Sequence, residues 1–271
     1  MNGAIIEDTR GGCYKLIIRS RMAPGDPELD DGADESYACR AVKKLIRGIV
    51  DFRKNIRPGY RETFARLALG QSPDSLFIAC SDSRVVPNLF ASTEPGDLFV
   101  IRNVGNMIAP CGADGRSLSD ESEAAAIEFS TVVLKISDII VCGHSDCGAI
   151  RAVLEGRSET STPHLHDWLR HCEEPLRKVR AGGRMNADLS LQNHLSQFNV
   201  LQQVAHLRTY PAVSAKLAAG SLRVHAWWFD IAAAEVLAYE EAQGRFVVID
   251  EAEGERILTR LEGPRPDAPG R

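Results

Sequence analysis

The chain has 271 residues, 44% of them hydrophobic and 25% charged, with a formal net charge of −5, ordinary values for a globular protein with material for a buried core. Lys and Arg are interleaved with Asp and Glu, so no basic face suits nucleic acid, and no apolar run approaches the roughly 20 residues that span a membrane. The seven Cys point to metal or catalysis in a reducing compartment rather than to disulfides, and with no basic-then-apolar leader the cytoplasm is the expected location.

Residues 1–35 read as a weakly ordered arm, rich in turn formers such as Pro24, Gly25 and Pro27. A helix is expected from residue 36, where Ala41, Leu45, Ile49 and Phe52 recur at spacings of three and four. Arg57-Pro58-Gly59 breaks it, and a second short helix runs over 61–69 to Gly70. Strands are expected at 75–79, 97–101, 139–142 and 222–229, with an edge strand at 246–249 pairing antiparallel to the one before it. Between them fall a short helix or loop at 85–92 and helices near 119–135, from 148, and over 168–180, 187–208 and 212–218. The long helix over 187–208 carries Leu189, Val200, Val204 and Leu207 on its apolar face. Residues 263–271 read as a frayed tail. The whole is an α/β fold in which 36–262 form one domain. Its mostly parallel central sheet of about four strands, plus the antiparallel edge strand, is flanked by helices and preceded by an N-terminal helical arm.

In such sheets ligands sit beyond the carboxyl ends of the strands. Two strands end there in metal-binding residue types. The first gives Cys80-Ser81-Asp82-Ser83-Arg84, and the second gives Cys142-Gly143-His144-Ser145-Asp146-Cys147-Gly148. Zinc favours thiolate and imidazole in tetrahedral geometry, with an open fourth position when the site is catalytic. Cys80, His144 and Cys147 are therefore the expected zinc ligands, with Asp82 paired to Arg84 beside them. A buried strand thiol is the plainer reading of Cys80 alone, but it leaves Asp82 and Arg84 unexplained. His164, His166 and His171 surround Trp168 as ordinary helix-surface residues, and Cys13, Cys39, Cys111, Cys142 and Cys172 lack paired spacing and read as thiols. Trp227 and Trp228 are expected to pack in the sheet and a subunit interface.

These two motifs resemble the β-class carbonic anhydrase family. Further matches are Gly96-Asp97-Leu98-Phe99-Val100-Ile101-Arg102-Asn103-Val104-Gly105-Asn106 and His225-Ala226-Trp227-Trp228-Phe229-Asp230, and the similarity spans roughly 36–250. The resemblance implies a zinc enzyme that interconverts carbon dioxide and bicarbonate through a zinc-held hydroxide, which the Asp82–Arg84 dyad orients. It also implies one Zn2+ per subunit, a homodimer or homotetramer, and no nucleic-acid or membrane partner. Gln71, Phe99 and Val104 match substrate-pocket residues of the plant-like branch, and Phe129 stands where that branch has a tyrosine. In a bicarbonate-regulated branch a tryptophan replaces Phe77, so that inhibitory site is incomplete here although Arg102 is in place. A carbonyl sulfide or carbon disulfide hydrolase shares the same motifs and is the nearest alternative. A non-catalytic zinc scaffold is a reading from another class, and the Asp82–Arg84 pair counts against it, since a structural site takes four protein ligands.

Overall fold

The computed structural model describes residues 4–9, 13–18, 35–119, 121–156, 162–186 and 188–262. The chain divides into two compact units, 1–69 and 70–271. In the first, β1 (Ala4–Thr9) and β2 (Cys13–Ile18) pair antiparallel within the stretch read as an arm. They are followed by α1 (Glu35–Asp51), a π-helical turn over Phe52–Ile56, and α2 (Arg57–Leu67). The Arg57-Pro58-Gly59 segment starts a helix rather than breaking one. Proline lacks only an N–H that has no partner in the first turn anyway, and its φ suits that position. The stripe on α1 is exposed: Val42, Leu45, Ile46, Ile49 and Val50 all face solvent.

The second unit runs β3 (Ser75–Cys80), α3 (Pro87–Phe90), β4 (Leu98–Asn103), α4 (Glu121–Glu128), β5 (Asp138–His144) and α5 (Gly148–Leu154). It continues with α6 (Pro163–Trp168), α7 (Glu173–Arg180), α8 (Leu191–Leu207) and α9 (Pro211–Ala218). It closes with β6 (Arg223–Asp230), β7 (Glu235–Glu240), β8 (Arg245–Val248) and α10 (Glu251–Glu262). A π-helical turn at Phe129–Val133 extends α4, and a 3-10 turn at Leu169–Cys172 joins α6 to α7. The Ser190 hydroxyl accepts from Asn193 N and starts α8 three residues into the expected helix.

Six strands form one sheet in the order β4-β3-β5-β6-β7-β8. The first four are parallel, and β7 and β8 add antiparallel. The expected pairing of the last strand is corrected here: β8 pairs with β7, which lies between it and β6. Strand alternation sorts the core into two faces. Leu76, Ile78, Ile139, Val141 and Trp228 pack with Val200, Leu207 and Tyr210 on one face. Phe77, Ala79, Ile140, Cys142 and Phe229 pack with Val85 on the other. Consecutive tryptophans therefore part company, Trp228 going to the first face and Trp227 meeting Phe77 on the second. A third cluster, with Met107, Ile150, Val153, Leu169 and Leu195, surrounds Cys80 and Cys147. No described helix is long and apolar enough to cross a membrane.

Candidate metal centre

The parallel register puts the ends of β3 and β5 side by side, Ala79 opposite Cys142, so Cys80 and His144 emerge on one rim. The chain then has to turn back within three residues to present Cys147. Asp146 does this at φ 53, and its N–H donates to Asn193 Oδ1 at 2.9 Å. Cys147 itself caps α5 in extended geometry, with its carbonyl taking a 2.8 Å bond from Gln192 Nε2. Gly143 is required by packing: a Cβ there would lie 2.6 Å from Val200 Cγ2 and 3.2 Å from the Trp228 ring. From below, Ser196 Oγ donates to the His144 carbonyl at 2.8 Å.

The Cys80 and Cys147 sulfurs are 3.9 Å apart, and the ligand atoms of Cys80, His144 and Cys147 all lie within 4.8 Å of one another. All three residues are buried. His144 Nδ1 lies 2.8 Å from the Ser145 carbonyl and so carries the ring proton, which leaves the lone pair on Nε2. That Nε2 is buried with no hydrogen-bond partner. An orphaned acceptor costs free energy unless something accepts its lone pair. Facing two sulfurs, it fits a thiophilic cation such as zinc, and its carbonyl-bound Nδ1 is the usual means of orienting a metal-ligating imidazole. The two thiols lie within hydrogen-bond reach of each other: the hydrogen bond from Cys147 holds Cys80 well below its usual range, aided by the backbone N–H groups of Asp82 and of Gly105, the latter at 3.4 Å. The same pairing pushes Cys147 up. A thiolate is thus favoured before any ion arrives.

Asp82 Oδ2 lies 3.9 Å from His144 Nε2, on the rim side of the group. Arg84 grips this carboxylate with both arms, Nε to Oδ1 at 3.0 Å and an Nη to Oδ2 at 2.8 Å, and adds its backbone N–H at 3.0 Å. It also reaches the Asp146 carbonyl at 3.2 Å, which ties both motifs together. The Arg84 hydrogen bond is the main cause that keeps Asp82 far below the ordinary carboxylate range.

Arg102 has a role that its motif position did not suggest. Its guanidinium donates to the Cys80 carbonyl at 3.0 and 2.8 Å and to the Asp82 carbonyl at 2.6 Å. It therefore clamps the turn that carries a ligand and the dyad acid. Phe77 is buried against Phe90 and Trp227. Of the expected pocket residues, Phe99 and Phe129 meet with ring centroids 5.9 Å apart. Phe129 and Val104 are exposed, and the Val104 carbonyl accepts from Trp168 Nε1 at 2.8 Å. Gln71 is exposed in the segment entering the N-terminal end of β3, whereas Cys80 closes the other end. His171 is buried against Trp168, and that burial lowers its pKa to about 4. Among the described residues Cys80, His144 and Cys147 form the one group arranged to hold a metal.

A family model described as carbonic anhydrase matches residues 75–236. A carbonic anhydrase of Synechocystis sp. is 41% identical over 208 residues, covering 76% of this chain and 74% of that protein. The solved structure of the β-carbonic anhydrase CcaA superposes with a TM-score of 0.70 at 41% identity, over 77% of this chain and 99% of the other. A structure from a study of two tetrameric β-carbonic anhydrases of Sordaria macrospora gives a TM-score of 0.58 at 26% identity, over 75% and 96%.

Proposed function

Since the chain belongs to the β-class carbonic anhydrase family, we propose that it interconverts carbon dioxide and bicarbonate, with one Zn2+ per subunit on Cys80, His144 and Cys147. The observation that carries this reading is the buried, unpartnered His144 Nε2 facing two sulfurs, with an ionised carboxylate 3.9 Å away. When bound, zinc supplies Lewis acidity that makes water a source of hydroxide near neutral pH. Asp82, kept ionised by Arg84, has only acceptors to offer. It accepts a hydrogen bond from the attacking water or hydroxide and so leaves a lone pair directed at the carbon of carbon dioxide. Arg84 holds that carboxylate in plane, and Arg102 fixes the main chain beneath it.

Phe99, Val104 and Phe129 are proposed as pocket residues, and Gln71, at the end of β3 away from Cys80, is proposed to serve the pocket of a second copy of the chain. Because Val104 and Phe129 are exposed, and Val100, Val132 and Val133 with them, a second copy of the chain is the natural cover. We read a homodimer or homotetramer. The close pair of thiols also suits a reducing compartment such as the cytoplasm.

The test is zinc content together with stopped-flow carbon dioxide hydration on purified protein. A folded chain that carries no zinc would overturn the proposal, and faster hydrolysis of carbonyl sulfide than hydration of carbon dioxide would reassign the substrate. One regulatory expectation accompanies it. With Phe77 packed between Phe90 and Trp227 and Arg102 engaged with two carbonyls, bicarbonate should not shut the enzyme off cooperatively. Hydration assayed across about pH 6.5–8.5, which spans the ordinary imidazole and zinc-water region, with and without added bicarbonate, checks it. A steep bicarbonate-dependent loss in that window contradicts it.

A further inference from the structure

Helix α8 carries a buried polar ladder outside the metal group. Asn199 and Gln203 are fully buried, and with His206 they lie at successive turns of one helix face. Asn199 Nδ2 donates to the Gly105 carbonyl at 3.0 Å. Gln203 Oε1 accepts from Ile108 N at 2.8 Å, and Gln203 Nε2 donates to Asn199 Oδ1 at 2.8 Å. His206 Nδ1 bonds the Ile108 carbonyl at 2.7 Å, and just past the helix Tyr210 Oη bonds the Ala109 carbonyl at 2.8 Å. Apart from the Gln203–Asn199 bond within the helix, these bonds all reach one segment, the loop that follows β4. That loop is already closed by Asn103, whose side chain bonds both the N–H and the carbonyl of Met107. Turn formation therefore does not need the ladder.

The Gly105 residue is held at both ends: Asn199 holds its carbonyl, and its own N–H points at Cys80 Sγ, 3.4 Å away. Its φ of 81 and the 3.0 Å approach that a Cβ would make to Met107 Cε leave that conformation to glycine. We propose that Asn199, braced by Gln203, is a positioning residue for Cys80. It fixes Gly105 so that an N–H bond draws charge off the ligand sulfur, and so sets how strongly that sulfur donates to the metal. This rests on the metal reading above. Hydrogen bonds to ligand sulfurs tune metal centres in this way, and outer partners of ligands typically change metal affinity 10–100-fold.

The test uses the full-length protein loaded with cobalt(II), whose thiolate charge-transfer band reports sulfur donation, together with zinc retention against a chelator. Asn199→Ala is expected to move the band to longer wavelength, as a sulfur relieved of its N–H donor gives more charge to the metal, and to change zinc release to the chelator about tenfold. Tyr210→Phe, which removes a bond to the same loop four residues away, is expected to lower the thermal midpoint and leave the band in place. A wild-type band in metal-loaded Asn199→Ala overturns the inference, and so does an equal shift in Tyr210→Phe. Should Asn199→Ala fail to fold, Gln203→Met keeps Asn199 and removes its brace together with the bonds to Ile108 N and the His171 carbonyl, and an unmoved band there is equally fatal. A wild type that takes up no cobalt would instead sink the functional reading itself.

Discussion

Replacing Cys147 by serine is expected to abolish zinc binding and carbon dioxide hydration together while leaving the sheet folded. A serine hydroxyl does not ionise near neutral pH, so the set falls to one thiolate and one imidazole, too few for a tetrahedral site with one open position. The loss should exceed the roughly 10–100-fold that changes around a ligand cost. Cys147 Sγ is also the main partner that holds the Cys80 thiol low, so Cys147→Ser weakens the remaining sulfur ligand too. Metal analysis, stopped-flow hydration and far-ultraviolet circular dichroism on the same sample check this. Stoichiometric zinc with an unchanged rate would remove Cys147 from the centre.

Asp82→Asn is the second large effect, and it separates binding from chemistry. The amide keeps the shape of the carboxylate but presents donors as well as an acceptor, so it no longer enforces one orientation of the attacking oxygen, and Arg84 loses its charged partner. We expect kcat/KM for hydration to fall about 10²-fold or more, with zinc content unchanged. The pH dependence follows from the depressed Asp82 pKa. Its folded value lies below the ordinary one near 3.9, so the pairing stabilises the fold above that ordinary value and is lost only as pH falls through the lower folded one. Across neutral pH Asp82 stays a carboxylate, so any loss of rate on mild acidification is expected to come from another group. Full activity in a zinc-loaded Asp82→Asn chain would leave the dyad without the proposed role.

Strand ends and the metal group were legible because both signals are local. An apolar run stops at Cys80, another stops at His144, and parallel topology brings such ends to one rim. The strand over Glu235–Glu240 was not, because glutamates flank only four apolar or small residues and the stretch imitates a surface loop. The Arg57-Pro58-Gly59 segment misled in the opposite direction, since proline ends or begins a helix according to which turn it occupies. The clamp that Arg102 makes and the Asn199–Gln203–His206 ladder were invisible for a deeper reason. Their partners are main-chain atoms, which have no signature in sequence, and polar residues on a helix read as a solvent face until the helix is seen packed.

The close approach of Cys80 and Cys147 joins residues 67 positions apart in the chain. His144 and Cys147 form a half-site within one loop, but the third ligand arrives only when β5 has docked along β3. An ion that needs all three has nothing to hold in a partly folded chain. Its binding free energy is therefore added to the whole assembled unit, not to a fragment, as RT ln(1 + [L]/Kd). Withdrawing the metal then lowers the free-energy gap between the folded unit and its denatured ensemble, and resistance to global unfolding becomes a function of zinc supply.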